Sequence, residues 1–248
     1  MLKQHSKTGI NRFEFSQNRR MQFLMLTMLA LWVGQTARRI RLLRHAGQRV
    51  GARRMYQRSA FCFSVLAWLA MGGQLTILAL NGLLRMDTAL PLHLCGAMGV
   101  CLYPALRTRS ERLREAVFYL APPGGMAALL FPSIMNCEQQ QWMTLFFFLL
   151  HAVLATAPYL LLALGWRPKT RGALTAAAFL VLLACPAGVV NQVFGANYLF
   201  LRAPAASGML FRFPALAGVA AAVLGVEALG VWGMEKAAAH RRDSECCL

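Results

Sequence analysis

Two side chains capable of nucleophile and base chemistry lie deep inside apolar runs of this sequence: Cys95, in Leu90-Pro-Leu-His-Leu-Cys95, and His151, in Phe146-Phe-Phe-Leu-Leu-His151. Hydrocarbon tolerates polar groups poorly, which makes both functional candidates. A thiolate is the nucleophilic form of cysteine, and an imidazole within hydrogen-bond reach takes its proton and stabilises the ion pair. Such a pair suits acyl transfer through a thioester. Counting from the same-side starts of their spans, Cys95 lies roughly five residues in and His151 roughly eight, which gives them similar depths. His93 is nearer in sequence, but two positions on a helix turn it about 200° away from Cys95. The plainer alternative is that Cys95 packs as a small hydrophobe and His151 makes a helix-to-helix hydrogen bond.

A second polar group stands late in the chain, in Asn191-Gln-Val-Phe-Gly-Ala-Asn197-Tyr198-Leu-Phe-Leu-Arg202-Ala-Pro204. Asn191 and Asn197 can donate to a carbonyl or a headgroup, Tyr198 lies between them and the end of the segment, and Arg202 can clamp a phosphate. Helix capping by the amides and snorkelling of Arg202 compete with that role. Glu227, in Val223-Leu-Gly-Val-Glu227, is an acid inside the last apolar run and should face other helices or be protonated. Gln74 and Asn81, seven positions apart, share a helix face. With Cys95 and His151 as the reactive pair, His93, Asn191, Asn197, Tyr198, Arg202 and Glu227 make up the expected binding set.

The elements that must carry these residues are membrane spans. Of the 248 residues, 58% are hydrophobic, and the 26 Lys and Arg cluster in short stretches between apolar runs. This predicts an all-α, polytopic transmembrane bundle of about seven helices, over 21–37, 60–82, 90–106, 114–132, 143–165, 172–194 and 213–234. Residues 1–20 read as a basic leader, 21–234 as one bundle and 235–248 as a cytoplasmic tail. The run Met21 to Ala37 reads as a helix rather than a cleaved signal, because Gln35-Thr-Ala37 passes straight into Arg38 and Arg39. Arginines crowd the first, third and fifth connections and are sparse in the second, fourth and sixth. That alternation puts the basic connections in the cytoplasm and the N-terminus outside. Pro122-Pro-Gly-Gly125 is expected to break the fourth span and Pro186 the sixth, and both would border a cavity.

The net charge of +17 would point to nucleic acid in a soluble protein, but here the basic residues flank apolar spans, so anionic lipid is the expected partner and nucleic acid is not. The seven cysteines follow no metal-like spacing, and neither a metal nor a cofactor is expected. No phosphate-binding loop, serine-hydrolase elbow or dinucleotide glycine pattern stands in a suitable context.

Taken in order, Leu90-Pro-Leu-His-Leu-Cys95, Phe148-Leu-Leu-His151, the Asn191 to Pro204 segment and Glu227 resemble the YwaF-type integral membrane family, whose vertebrate members are the transmembrane-protein-164-like proteins. The resemblance runs from about the second span to the end of the chain. It implies a bundle of six to seven helices and, in the animal branch, a cysteine-dependent acyltransferase that moves fatty acyl chains between phospholipids. Carried over, the family's cysteine falls on Cys95 and its histidine on His151, with phospholipid and lysophospholipid as substrates and a bacterial cell membrane as the setting. Two departures stand out: Gly96 replaces an acidic residue after the cysteine, and Gly208-Met-Leu-Phe-Arg-Phe-Pro214 replaces a Pro-Trp-rich stretch. A non-catalytic transporter or small-molecule-binding protein, with His93, His151 and Glu227 as a polar relay, is the rival expectation.

Overall fold

In a computed structural model of the chain the described residues are 2–108, 110–135, 137–202 and 213–246, with side chains described over 20–108, 110–135, 137–202 and 218–237. The side chains of residues 1–19 of the basic leader, and residues 208–212, fall outside them. The described residues form seven long helices and no strand. These are α1 (Leu2–His45), α2 (Arg49–Leu80), α3 (Leu94–Arg107), α4 (Glu111–Leu130), α5 (Gln140–Thr156), α6 (Gly172–Phe194) and α7 (Phe213–Cys246). A 3-10 turn, Ala157–Tyr159, carries α5 on into the short helix Leu160–Ala163.

Local sequence explains several of the helix ends. Gly47, at φ 76°, ends α1: its N–H reaches Arg44 O, and Gln48 N–H reaches Leu43 O, which turns the chain directly into α2. Ser110 starts α4 by accepting from Leu113 N–H at 3.4 Å, with Glu111 in the favourable first turn. Gly195, at φ 67°, closes α6.

Among the described residues four stretches are long and apolar enough to cross a membrane: Arg49–Leu80, Gln140–Ala163, Gly172–Phe194 and Gly218–Ala237. Their burial differs sharply. The α5 stretch is 67% buried within the protein, against 11% for those of α6 and α7, so α5 is the central helix and the last two line the periphery. α1, α2, α3 and α4 pack with α5 around one core, to which they contribute Leu29, Val33 and Ile40, Phe63 and Ala67, Met98 and Leu102, and Val117 and Tyr119 respectively. The apolar part of α1 is therefore a member of the bundle.

Polar contacts sort the helix ends into two sets. At one end Arg44 Nη1 donates to Ala163 O, Tyr56 OH to Leu106 O, Trp166 Nε1 to Glu111 Oε2 and Thr170 Oγ1 to Glu235 Oε2. At the other, Gln22 Nε2 donates to Leu129 O, Glu138 N–H to Asn81 Oδ1 and Leu90 N–H to Tyr198 OH. The three arginine-rich connections all fall in the first set, as the charge alternation predicts.

Three local expectations need correction. The third helix begins at Leu94 rather than at 90, so at 14 residues it is only about 21 Å long, short of a hydrocarbon core of about 30 Å. Residues 91–93 form turns, and His93 is the extended N-cap residue. Neither Pro122-Pro123 nor Pro186 breaks its helix: α4 and α6 run through them, leaving only the carbonyls four residues earlier without their usual donors.

Orientation can be checked by substituted-cysteine labelling in cells with the native cysteines replaced. Gln48→Cys should be shielded from an impermeant thiol reagent added outside, and Glu138→Cys should react. The reverse pattern would invert the bundle.

Candidate functional site

The site residues gather at the bundle end opposite the arginines. Because α3 is short, the chain from Met86 to His93 folds over its start, and non-helical backbone at that depth needs partners from within the protein. Tyr198 provides them. Its buried hydroxyl donates to Met86 O at 2.9 Å and accepts from Leu90 N–H at 3.0 Å. Burial pushes the Tyr198 phenol above its ordinary 10.0, so it remains a neutral donor.

Asn191 holds Tyr198 in place. Its Nδ2 donates to Tyr198 O at 3.0 Å and its Oδ1 accepts from Tyr198 N–H at 2.7 Å. Arg202 closes the loop: Nη1 donates to Asn191 O at 2.8 Å, near the carbonyl-rich end of α6, and its own N–H reaches Asn197 Oδ1 at 3.1 Å. Between these anchors Leu199 and Phe200 sit at φ 55° and 54°, left-handed conformations that cost about 1–2 kcal/mol each for residues with a Cβ. The ring of His93 packs on Tyr198 at 5.0 Å and on Phe200 at 5.1 Å. His93, Asn191, Asn197, Tyr198 and Arg202 thus form one folded cap, and hydrogen bonds tie the last four to one another.

Cys95 lies just beneath this cap, in the first turn of α3. Its Sγ–H faces Gly124 O at 3.9 Å. His151, only 5% exposed, lies midway along α5 with its ring 4.1 Å from that of Phe147. Nδ1 contacts Phe147 O at 2.7 Å. A carbonyl can only accept, so Nδ1 carries the proton, and in the neutral ring Nε2 holds the lone pair.

What links the two is the glycine pair of α4. A Cβ on Gly125 would fall 2.7 Å from His151 O and 2.8 Å from Ala155 N, so the α4 and α5 backbones touch there. A Cβ on Gly124 would fall 3.1 Å from Leu94 Cδ2. Two successive residues of α4 therefore contact the Cys95 thiol and the His151 backbone. The sequence reading missed this role, although a glycine pair inside an apolar helix is a signal for close backbone approach.

The remaining residues go elsewhere. Glu227 belongs to the peripheral α7, and its Oε2 is buried without a hydrogen-bond partner among the described residues. Asn81 caps α2 and clamps the loop before α5 through Glu138 N–H, and Gln74 reaches Phe146 O at 3.5 Å. Cys62 and Cys185 are exposed on outward faces of the bundle. Position 96 is sterically tight: a Cβ there would meet Pro91 Cα at 3.1 Å, so glycine lets the 91–93 turns lie against the start of α3.

The family model described as TMEM164 family matches residues 15–234, from within α1 to within α7. This agrees with the resemblance to transmembrane-protein-164-like proteins and with a multi-pass membrane protein. Neither the curated proteins nor the solved structures contain a match.

Two substitutions test the scaffold. Gly125→Ala places a methyl against backbone that cannot move aside and should destabilise the bundle by about 1–3 kcal/mol, whereas Gly188→Ala, with open space around it, should not. Thermal unfolding in one detergent compares them directly. Asn191→Ala removes both bonds to the Tyr198 backbone, at about 1–3 kcal/mol, and hydrogen exchange over 196–201 should rise while α5 stays protected.

Proposed function

Since the chain belongs to the TMEM164 family of membrane proteins, we propose that it is a phospholipid acyltransferase of a bacterial cell membrane, with Cys95 as nucleophile and His151 as base. The observation that carries the reading is the shared anchor on α4: Gly124 O at the Cys95 thiol, and Gly125 against the backbone of a histidine whose Nε2 is the lone-pair nitrogen.

The chemistry balances without a cofactor. His151 Nε2 takes the Cys95 proton, and the thiolate attacks the ester carbonyl of a donor phospholipid. The tetrahedral intermediate collapses, the imidazolium protonates the departing alkoxide, and lysophospholipid leaves behind an acyl-thioester on Cys95. The hydroxyl of an acceptor lysophospholipid then attacks the thioester, His151 takes its proton, and the thiol is restored.

The start of α3 supplies what the oxyanion needs. The first helical bond here runs from Ala97 N–H to His93 O, so the N–H groups of Leu94, Cys95 and Gly96 lie ahead of it, at the positive end of the helix. In this reading Tyr198, Asn191, Asn197 and Arg202 act by holding the cap, and the His93 ring lines it. The rival, a binding or transport protein with His93, His151 and Glu227 as a relay, draws on the unpartnered Glu227 Oε2.

The test uses purified full-length protein in liposomes with an acyl-labelled phospholipid and an unlabelled lysophospholipid. Wild type should transfer label and carry a hydroxylamine-labile acyl group on Cys95. Cys95→Ser should lose that adduct and the transfer, and His151→Ala should slow transfer by roughly 10²–10⁴ while the bundle stays folded. Equal transfer by both variants and wild type would end the enzyme reading and leave the rival.

A further inference from the structure

At the opposite end of the molecule, α1, the start of α2 and the end of the α5 stretch enclose a cleft of about 1350 Å³. Arg41, Arg44, Arg49, Arg53, Arg54 and Arg167 line it, and among the described residues no Asp or Glu does. Arginines in a cytoplasmic connection are expected from topology alone. Convergence is not: Arg38, Arg39, Arg58, Arg107 and Arg112 serve topology equally well and stay outside the cleft. Six like charges around one cavity repel one another unless an anion sits among them. The start of α2 adds to this field, since its first turn holds no acidic residue and its N-cap, Gln48, makes no side-chain capping bond.

The rest of the lining identifies the anion. Below the arginines the cleft continues along Val33, Gly34 and Ala37 of α1 and past Tyr159 and Leu162. A Cβ at Gly34 would meet nothing within 4 Å, so the space beside α1 is open there. Leu31, Trp32 and Leu42 are exposed along the same helix. The volume exceeds the roughly 300–1,000 Å³ of ordinary small-molecule pockets, far more than a free phosphate would fill. A charged mouth above an apolar slot matches a phosphate on a hydrocarbon chain.

We propose that this cleft binds the phosphate headgroup of an anionic glycerolipid, with its acyl chain laid along Val33, Gly34 and Ala37. Arg44 is partly committed to the fold, because Nη1 donates to Ala163 O and its guanidinium packs against Gly165. Arg41 and Arg53 are the arginines to test. The cleft lies at the other end of the bundle from Cys95, so the proposal stands independently of the acyl-transfer reading.

The experiment titrates radiolabelled dioleoylphosphatidic acid into the full chain held in phosphatidylcholine nanodiscs. Wild type should bind it saturably. The double variant Arg41→Gln/Arg53→Gln should bind roughly 30-fold more weakly, from about 1 kcal/mol per basic residue near a membrane surface. Arg107→Gln/Arg112→Gln, which removes the same charge at the same end but outside the cleft, should bind as wild type does. Equal weakening by both pairs would overturn the site in favour of diffuse surface charge. Inorganic phosphate or glycerol 3-phosphate competing at concentrations comparable to the lipid would overturn the lipid assignment and make the ligand a soluble phosphate. Matching thermal unfolding of both double variants in phosphatidylcholine alone separates lost binding from lost folding, and unchanged lipid affinity in a folded Arg41→Gln/Arg53→Gln protein would also overturn the proposal.

Discussion

The contact on which the rest of the site depends is the approach of α4 to α5 at Gly125, close enough that a single added methyl would collide with His151 O and Ala155 N. In lipid there is little hydrophobic gain from pressing one apolar helix on another, so association relies on tight packing, and small residues permit it. Here the residue before the contact carries the carbonyl that faces the Cys95 thiol, and the far side of the contact is the histidine's own peptide. Two neighbouring residues of α4 thus touch α5 on one side and the first turn of α3, at Leu94 and Cys95, on the other. Pro122 and Pro123, just before the pair, cannot donate helix bonds, which leaves α4 held at this point by its neighbours more than by its own ladder.

The cap is arranged on a different principle. Tyr198, Asn191 and Arg202 spend their hydrogen bonds on backbone, and what they hold is a turn with two successive left-handed residues, Leu199 and Phe200. Strain of that kind persists only where the surroundings over-determine the turn. Its product is the placement of two aromatic rings on His93, directly above the start of α3. The polar residues of this segment contribute through position, whatever passes beneath them.

Much of the bundle was legible from hydropathy because spans and charge alternation are set by the solvent: α2, α5, α6 and α7 overlap the expected runs, and the arginine-rich connections share one end. The misreadings came where local rules met tertiary partners. Pro122 and Pro186 looked like breaks, yet α4 and α6 run on through them, Pro122 buried in the bundle and Pro186 exposed on its outside. The 200° argument for His93 does not apply, because His93 lies outside the helix as its N-cap residue and stacks on Tyr198. For Asn191 and Arg202 the sequence left ligand binding and local capping side by side, and no single-sequence pattern could reveal that a buried tyrosine seven residues on from Asn191 would bond its amide. The arginine cleft was invisible for the same reason, since one-dimensional charge runs do not say which arginines converge.

The start of α3 shows how these features bear on one another. A helix of 14 residues cannot reach across a bilayer, so α3 starts part-way into the bundle, with Leu94, Cys95 and Gly96 half-buried and their N–H groups ahead of its first helical bond. Donors at such a position are costly unless something accepts from them. His93 provides no side-chain cap, and Gly96 has no side chain at all, its Cβ position being closed off by Pro91. An acidic side chain at 96 would have to push the 91–93 turns aside, so its replacement by glycine and the close fit of those turns belong to one solution. What that solution leaves, in the turn that carries Cys95, is a helix start with no side-chain cap, at the positive end of the helix. In the acyl-transfer proposal, the group that would use this helix end is one that gains negative charge only in the reaction, the carbonyl oxygen of an ester under attack by a thiolate.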